Sequence, residues 1–171
     1  MSGDKKQKKD KKDKKEKKEK RAEESDDEQE TTLKDDYKER LFVSPIADPI
    51  AQDKLEKKLL KLVKKGMKEK LVRRGVKETV KAVRKGNAGV VIIAADISPI
   101  DVLSHLPILC EDKGVPYIYV RSRAEVGEAC KTKRPTSCVM VVKPDKKKQG
   151  EVYEYFEECK AKVQEKNPYI N

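Results

Sequence analysis

The sequence predicts an α/β chain, a three-layer α/β/α sandwich with a mixed four-stranded sheet, preceded by a disordered charged tail. Three observations carry this. Helical and strand periodicities alternate from residue 54 onward. Val90-Val91-Ile92-Ile93-Ala94-Ala95 is a continuous β-branched run, the pattern of a strand covered on both faces. Residues 37–171 also supply enough chain to bury roughly two-thirds of their unfolded surface, as a single domain of that size does.

The elements follow in order. Leu55, Leu59, Leu62, Val63 and Met67 recur at helical intervals between lysines and predict an amphipathic helix over about 54–68. Lys70 to Arg73 is a short strand. A helix then runs from 75 to about 85, with Val76, Thr79, Val80 and Val83 as its buried stripe, and stops at Gly86-Asn87-Ala88-Gly89. After the 90–95 strand, Pro99 opens a helix to about Lys113, broken near Pro107. Val115 to Val120 is a strand, 123–130 a short helix and Cys138 to Val142 another strand. Val152, Tyr155, Phe156, Cys159 and Val163 mark a last helix.

Residues 1–21 hold 12 Lys+Arg against 5 Asp+Glu and residues 22–36 hold 1 against 8, so the blocks carry +7 and −7 and cancel. Almost without apolar residues, neither can offset its chain entropy, and a disordered tail over 1–36 is expected, followed by a lead-in over 37–53 and a single domain over 54–171. The lysine-rich half is either a nuclear or nucleolar address or a solubilising arm. The formal +11 therefore belongs to the body, and residues 54–85 alone, with 14 Lys+Arg and 3 acids, account for it. One strongly positive flank on a near-neutral domain is the expected arrangement, the electrostatic footprint of a nucleic-acid binder. A membrane surface is the weaker partner, because no run of 18 apolar residues exists, the amphipathic helix lacks Trp and Phe, and no signal peptide opens the chain.

Within the basic segment, Arg73-Arg74-Gly75-Val76-Lys77-Glu78-Thr79-Val80-Lys81 places a glycine and a ring of cations at a helix start, where unpaired N–H groups and the positive dipole end receive anions. Gly75 lets a ligand approach. Lys77 and Lys81 lie one turn apart, an arrangement that an anion between them would relieve. Glu78 either pairs with Arg74 or Lys81 or accepts from the donor edge of a base.

Other chemistry finds little support. Cys110, Cys130, Cys138 and Cys159 are dispersed and His105 is the single histidine, so no metal or cofactor is expected and the cysteines read as buried small hydrophobes. Gly86-Asn87-Ala88-Gly89 precedes a strand instead of following one, and no phosphate loop occurs. Ser104 and His105 are neighbours that point in different directions along a helix. Asp96 and Asp101 form a possible carboxylate pair, with capping of the following helix by Asp96 or Ser98 as the plainer reading. No reaction is assigned.

Four blocks in order and at the required spacings resemble the family of small ribosomal and ribonucleoprotein proteins that bind kink-turn RNA. They are Arg73 to Val83, Ala94-Ala95-Asp96-Ile97-Ser98-Pro99-Ile100-Asp101-Val102-Leu103, His105 to Lys113 and Lys133-Arg134-Pro135. The resemblance spans about residues 52–165. Pro45-Ile46-Ala47-Asp48-Pro49-Ile50-Ala51 and Val141-Val142-Lys143-Pro144 are most similar to the branch found in H/ACA small nucleolar ribonucleoproteins.

That resemblance implies a noncatalytic, monomeric RNA-binding subunit in nucleolar particles that guide RNA pseudouridylation in ribosome biogenesis, telomerase RNA being a further target. Its implied partners are the H/ACA guide RNA, a dyskerin-type synthase subunit that carries the isomerase site, and a small bridging subunit. It also implies that Arg73, Arg74, Gly75, Lys77, Glu78 and Lys81 contact RNA, with Ser98 and Val102 beside it. Thr132, Lys133, Arg134 and Ser137 would cover a splayed-out nucleotide. Typical members have asparagine where Lys77 stands and aliphatic residues at Thr132 and Ser137, so charge and shape should outweigh base readout here. A ribosomal or spliceosomal kink-turn protein, an α/β enzyme working at Asp96 and Asp101, and a charge-driven chaperone that uses the tail blocks are the rival readings.

Overall fold

The computed structural model describes residues 42–145 and 150–170; the expected tail over 1–36 lies outside them. Five α-helices and four strands alternate among these residues: α1 (Asp53–Lys68), β1 (Val72–Arg74), α2 (Val76–Arg84), β2 (Gly89–Ala94), α3 (His105–Asp112), β3 (Tyr117–Val120), α4 (Arg123–Ala129), β4 (Cys138–Val142) and α5 (Gly150–Lys166). They form one sheet in the order β1-β4-β2-β3. β4 is antiparallel to β1 and β2, β2 and β3 are parallel, and the sheet is therefore mixed, as predicted.

The β-branched run behaves as a doubly covered strand must. Every residue of β2 is buried. Val90 and Ile92 pack with α1, α4 and α5 on one face, through Leu59, Leu62, Val126 and Phe156. Val91 and Ile93 face the other way, onto Ala82 and Val83 of α2 and Leu106 and Cys110 of α3. Burying side chains of this size stabilises by about 1.5–3 kcal/mol each, so both helical layers are held by alternate residues of the same strands.

Several expectations are corrected. The helix opened by Pro99 is not continuous: Ile100–Val102 is a single 3-10 turn, and the α-helix starts only at His105. The break lies at Leu103-Ser104, and Pro107 sits in the first turn of α3, where its missing N–H leaves no helical acceptor unpaired. Lys70 adopts φ +58° at the end of a turn, which delays β1 to Val72. In α2, Val76 and Val80 are only half-buried, and Ala82, absent from the predicted stripe, is buried instead.

The single positive flank is also corrected. Residues 54–68 and 69–85 form one basic block in sequence, yet α1 and α2 pack on opposite faces of the sheet. The lead-in reaches the far edge: Tyr119 N–H donates to the Pro49 carbonyl at 2.9 Å and Ala51 N–H to the Tyr119 carbonyl at 2.8 Å. Ile50 thereby continues the sheet beside β3.

Candidate nucleic-acid interface

Three segments that are far apart in sequence meet at one end of the sheet. Gly75 N–H donates to the Cys138 carbonyl at 2.9 Å, and Ala94 N–H donates to the Ser137 carbonyl at 2.8 Å. The ends of β1 and β2 and the start of β4 are thus tied together, and with them the β1–α2 junction, the β2–α3 connection and the loop over residues 131–137.

At the junction the backbone turns through Gly75 with φ +88° and ψ 161°, a conformation that side chains disfavour. A Cβ built there would meet nothing within 4 Å, so the surface over the glycine is open. Gly75 is needed for its dihedral as well as for the approach it permits. No side chain caps α2, and the N–H groups of Val76, Lys77 and Glu78 lie before the first intrahelical acceptor becomes available, since Thr79 is the first to donate back, to Gly75. An uncapped nine-residue helix ringed by cations has its positive dipole end turned outward.

Two clefts flank this start. One, of about 190 Å³, is lined by Arg73, Glu78, Lys81, Ala82, Lys85 and Asn87. The other, of about 240 Å³, lies between Arg74 and Gly75 on one side and Thr132, Arg134, Pro135, Thr136 and Ser137 on the other. Lys77 and Lys133 are exposed outside both, and Ser98 and Val102 are exposed on the β2–α3 connection. Glu78 makes neither of the ion pairs considered for it: no salt bridge with Arg74 or Lys81 occurs among the described residues. Its carboxylate is left facing the cleft.

The 131–137 loop is held by α4. Thr132 N–H donates to the Gly127 carbonyl at 3.1 Å and Thr136 N–H to the Arg123 carbonyl at 3.1 Å. A Cβ on Gly127 would lie 2.4 Å from the Arg134 carbonyl oxygen, so that glycine is what lets the loop sit down. Thr132 also has local work: its hydroxyl accepts the Arg134 N–H at 3.2 Å. An aliphatic residue could not close that turn, which gives a structural reason for the polar residue at this position.

The alternative chemistry resolves into structure. Asp96 accepts the Arg123 N–H at 2.9 Å and lies 3.8 Å from the Arg123 guanidinium, so it caps α4 and not the helix that follows it in sequence. Burial raises its carboxyl above the ordinary value, against the lowering by Arg123. Asp101 is exposed. The Ser104 hydroxyl donates to the Asp101 carbonyl at 3.4 Å and His105 is exposed at the first position of α3. All four cysteines are buried and free, and burial pushes Cys110 up to about 12 and Cys138 and Cys159 to about 11. No group of three metal-ligating side chains occurs among the described residues.

One buried acid was missed. Glu56 is fully buried in α1, where it accepts the Arg121 N–H at 3.1 Å and joins α1 to the end of β3. The sequence did carry a signal: position 56 falls with Leu59 and Val63 on the apolar stripe and not among the lysines.

Comparison with known proteins places these features. Residues 57–150 match the ribosomal protein L7Ae/L30e/S12e/Gadd45 family. An H/ACA ribonucleoprotein complex subunit 2-like protein of Xenopus tropicalis is 47% identical over 142 residues, covering 82% of this chain and 91% of the relative. One of the same description from Arabidopsis thaliana is 50% identical over 124 residues, covering 71% and 80%. Among solved structures, a Giardia lamblia 15.5kD RNA binding protein superposes with a TM-score of 0.66 at 39% identity, covering 72% of this chain and 98% of that one.

Proposed function

This chain belongs to the ribosomal protein L7Ae/L30e/S12e/Gadd45 family, and from that premise we propose that it is the RNA-binding core subunit of an H/ACA ribonucleoprotein, seating structured RNA where Gly75 opens α2. The observation that carries this is the convergence at the end of the sheet: an open, uncapped helix start, an unpaired acid among cations, and a docked loop facing them across a cleft. The relatives named as H/ACA subunits support the particle.

The parts divide the work by their chemistry. Lys77, Lys81, Arg73 and Arg74 offer point charges and forks to phosphates, which fixes the RNA in place without reading it. Glu78 accepts hydrogen bonds and donates none, so it fits a guanine or cytosine donor edge and repels phosphate. The 240 Å³ cleft over Gly75 is roomy enough to receive one extruded base edge-on, with Thr132, Arg134 and Ser137 around it and Lys133, Ser98 and Val102 exposed on the flank. None of these groups is paired as a nucleophile with a base, which supports a noncatalytic subunit.

The finer assignment extends from the same reading. The guide RNA of a pseudouridylating particle is the ligand, a dyskerin-type subunit carries the isomerase site, a small bridging subunit docks beside it, and this protein enters as a monomer. It works in the nucleus and nucleolus, in ribosome biogenesis. Because Lys77 is a mobile point charge and Thr132 is spent on its turn, preference for a kink-turn hairpin over a mismatched one should stay modest at about 150 mM salt. Competition binding measures it. A preference of about 1,000-fold or more, the range of specific readers, would show that base contacts dominate, and equal weak binding to unstructured RNA would remove the proposal.

A further inference from the structure

We infer that α1 carries a second RNA-contacting surface, a straight lysine stripe in the layer opposite α2 that takes the phosphate backbone of an RNA duplex. Lys54, Lys57, Lys61, Lys64 and Lys68 are all exposed. At about 100° per residue they fall within an arc of about 80°, and at about 1.5 Å per residue they extend about 21 Å along the helix. The opposite side of the helix is spent: Leu55, Leu59, Leu62 and Val63 are buried in the core.

Internal partners do not account for the stripe. Lys58 pairs with Glu158 and Lys65 lies over the Tyr155 ring, but both sit to the side of the arc. Within it, only Lys64 approaches an acid, Glu128 at 3.8 Å, and both groups are more than half exposed. Lys54, Lys57, Lys61 and Lys68 make no hydrogen bond or ion pair among the described residues. Helix stability does not account for it either. Lysines at three- and four-residue spacing repel one another, and Lys54 and Lys57 occupy the first turn and a half, where the dipole opposes cations. α5 is the contrast, an outer-layer helix of similar length whose glutamates and lysines are interleaved and pair across a turn, as Glu158 and Lys162 do. A sequence that sets seven lysines on one helix with only Asp53 and Glu56 beside them, Glu56 buried, favours an external anion.

Charge and shape together select a nucleic-acid duplex. The stripe contains no aromatic or aliphatic residue to seat a protein side chain, and lysine is the residue that protein interfaces avoid. A membrane would need the apolar face, which the core already holds. A duplex presents phosphates at a density that a row of lysines spaced one per turn can track without reading sequence. Since α1 and α2 lie on opposite faces of the sheet, a folded RNA seated at Gly75 would reach α1 only through a neighbouring duplex arm. The surface would then hold two parts of one RNA in fixed relation.

The test uses the full chain and two RNAs, a short hairpin and the same hairpin extended by a duplex of about 20 base pairs. Lys57→Gln/Lys61→Gln/Lys68→Gln should lower the salt slope for the extended RNA by about 2.7, at about 0.9 per phosphate contact, and leave the hairpin slope unchanged. Lys77→Ala/Lys81→Ala should lower both slopes, so failure of that variant alone counts against the α2 site and not against α1. An unchanged slope for the extended RNA in the triple variant overturns the inference. So does saturable binding of polyglutamate that the triple variant abolishes while its RNA slope is unchanged, which would assign the stripe to an acidic protein.

Discussion

α1 and α2 are adjacent in sequence, similarly basic and equally amphipathic, yet they present opposite kinds of surface. α1 offers the side of a long helix, and its N-terminal end is tied down by Glu56 and by the Arg121–Asp53 pair at 3.7 Å. α2 offers its end, entered through a glycine that no side chain caps. One surface can only attract phosphates along a line. The other brings backbone donors, a carboxylate and a facing loop to one point, and only that combination can discriminate. Net charge therefore suits both helices to a polyanion, and backbone geometry gives the α2 start the means to read one.

The glycines of the two helices sharpen this most. Gly75→Ala puts a Cβ on a residue at φ +88°, a strain of about 1–3 kcal/mol, although no atom stands in its way. Gly66→Ala in α1 meets Val72 Cγ2 at 3.1 Å. It also gains about 0.8–1 kcal/mol of helix propensity, so the two effects nearly cancel. Urea unfolding should show a clear loss for Gly75→Ala and little for Gly66→Ala, with RNA affinity falling only in the first. Equal losses would mean that the two glycines serve packing alike.

Side chains at the α2 end give the next effect. Glu78→Gln should reduce discrimination between a guanine and an adenine at the contacted position by about 1–3 kcal/mol with an almost unchanged salt slope. Lys77→Ala and Lys81→Ala should do the reverse, each lowering the slope by about 0.9 at constant base preference. Filter binding across a salt series separates them. If Glu78→Gln leaves base preference intact, its carboxylate is a bystander in the cleft.

Much of this was legible in sequence because it depended on local patterns. Val90 to Ala94 reads as a doubly covered strand from its own residues, and Gly75 before a cationic amphipathic stretch marks a helix start. What failed was what only the sheet order decides. Residues 54–85 look like one positive block until β1 is seen to separate α1 from α2 and place them on opposite faces. Asp96 looks like the cap of its neighbour until β3 brings Arg123 to it. Thr132 looks like a weakened apolar wedge until its hydroxyl is found closing the turn at Arg134. The basic block and Asp96 were judged by closeness in sequence where the fold sets the neighbours, and Thr132 closes a local turn through a hydroxyl whose direction the sequence does not show.

The smallest effect tests how far the α1 layer is neutralised from within. Hydrogen bonds from Lys162 and from Lys58 hold the Glu158 carboxyl at about 2, below its ordinary 4.5. A depressed carboxyl stabilises the fold in its ionised form, so the contribution is complete above about 4.5 and is lost as pH falls through about 2. The group is exposed, and salt screens it. Glu158→Gln should thus be slightly less stable than the parent at pH 6 in low salt, with the gap closing between pH 5 and pH 2 and shrinking in 1 M salt. The same variant frees Lys58 and Lys162 beside the α1 stripe, and should raise the salt slope for the extended RNA while leaving the hairpin unaffected. A stability gap that stays constant down to pH 2 would show that Glu158 acts through packing, and would leave the side-by-side pairing of α1 and α5 without an electrostatic role.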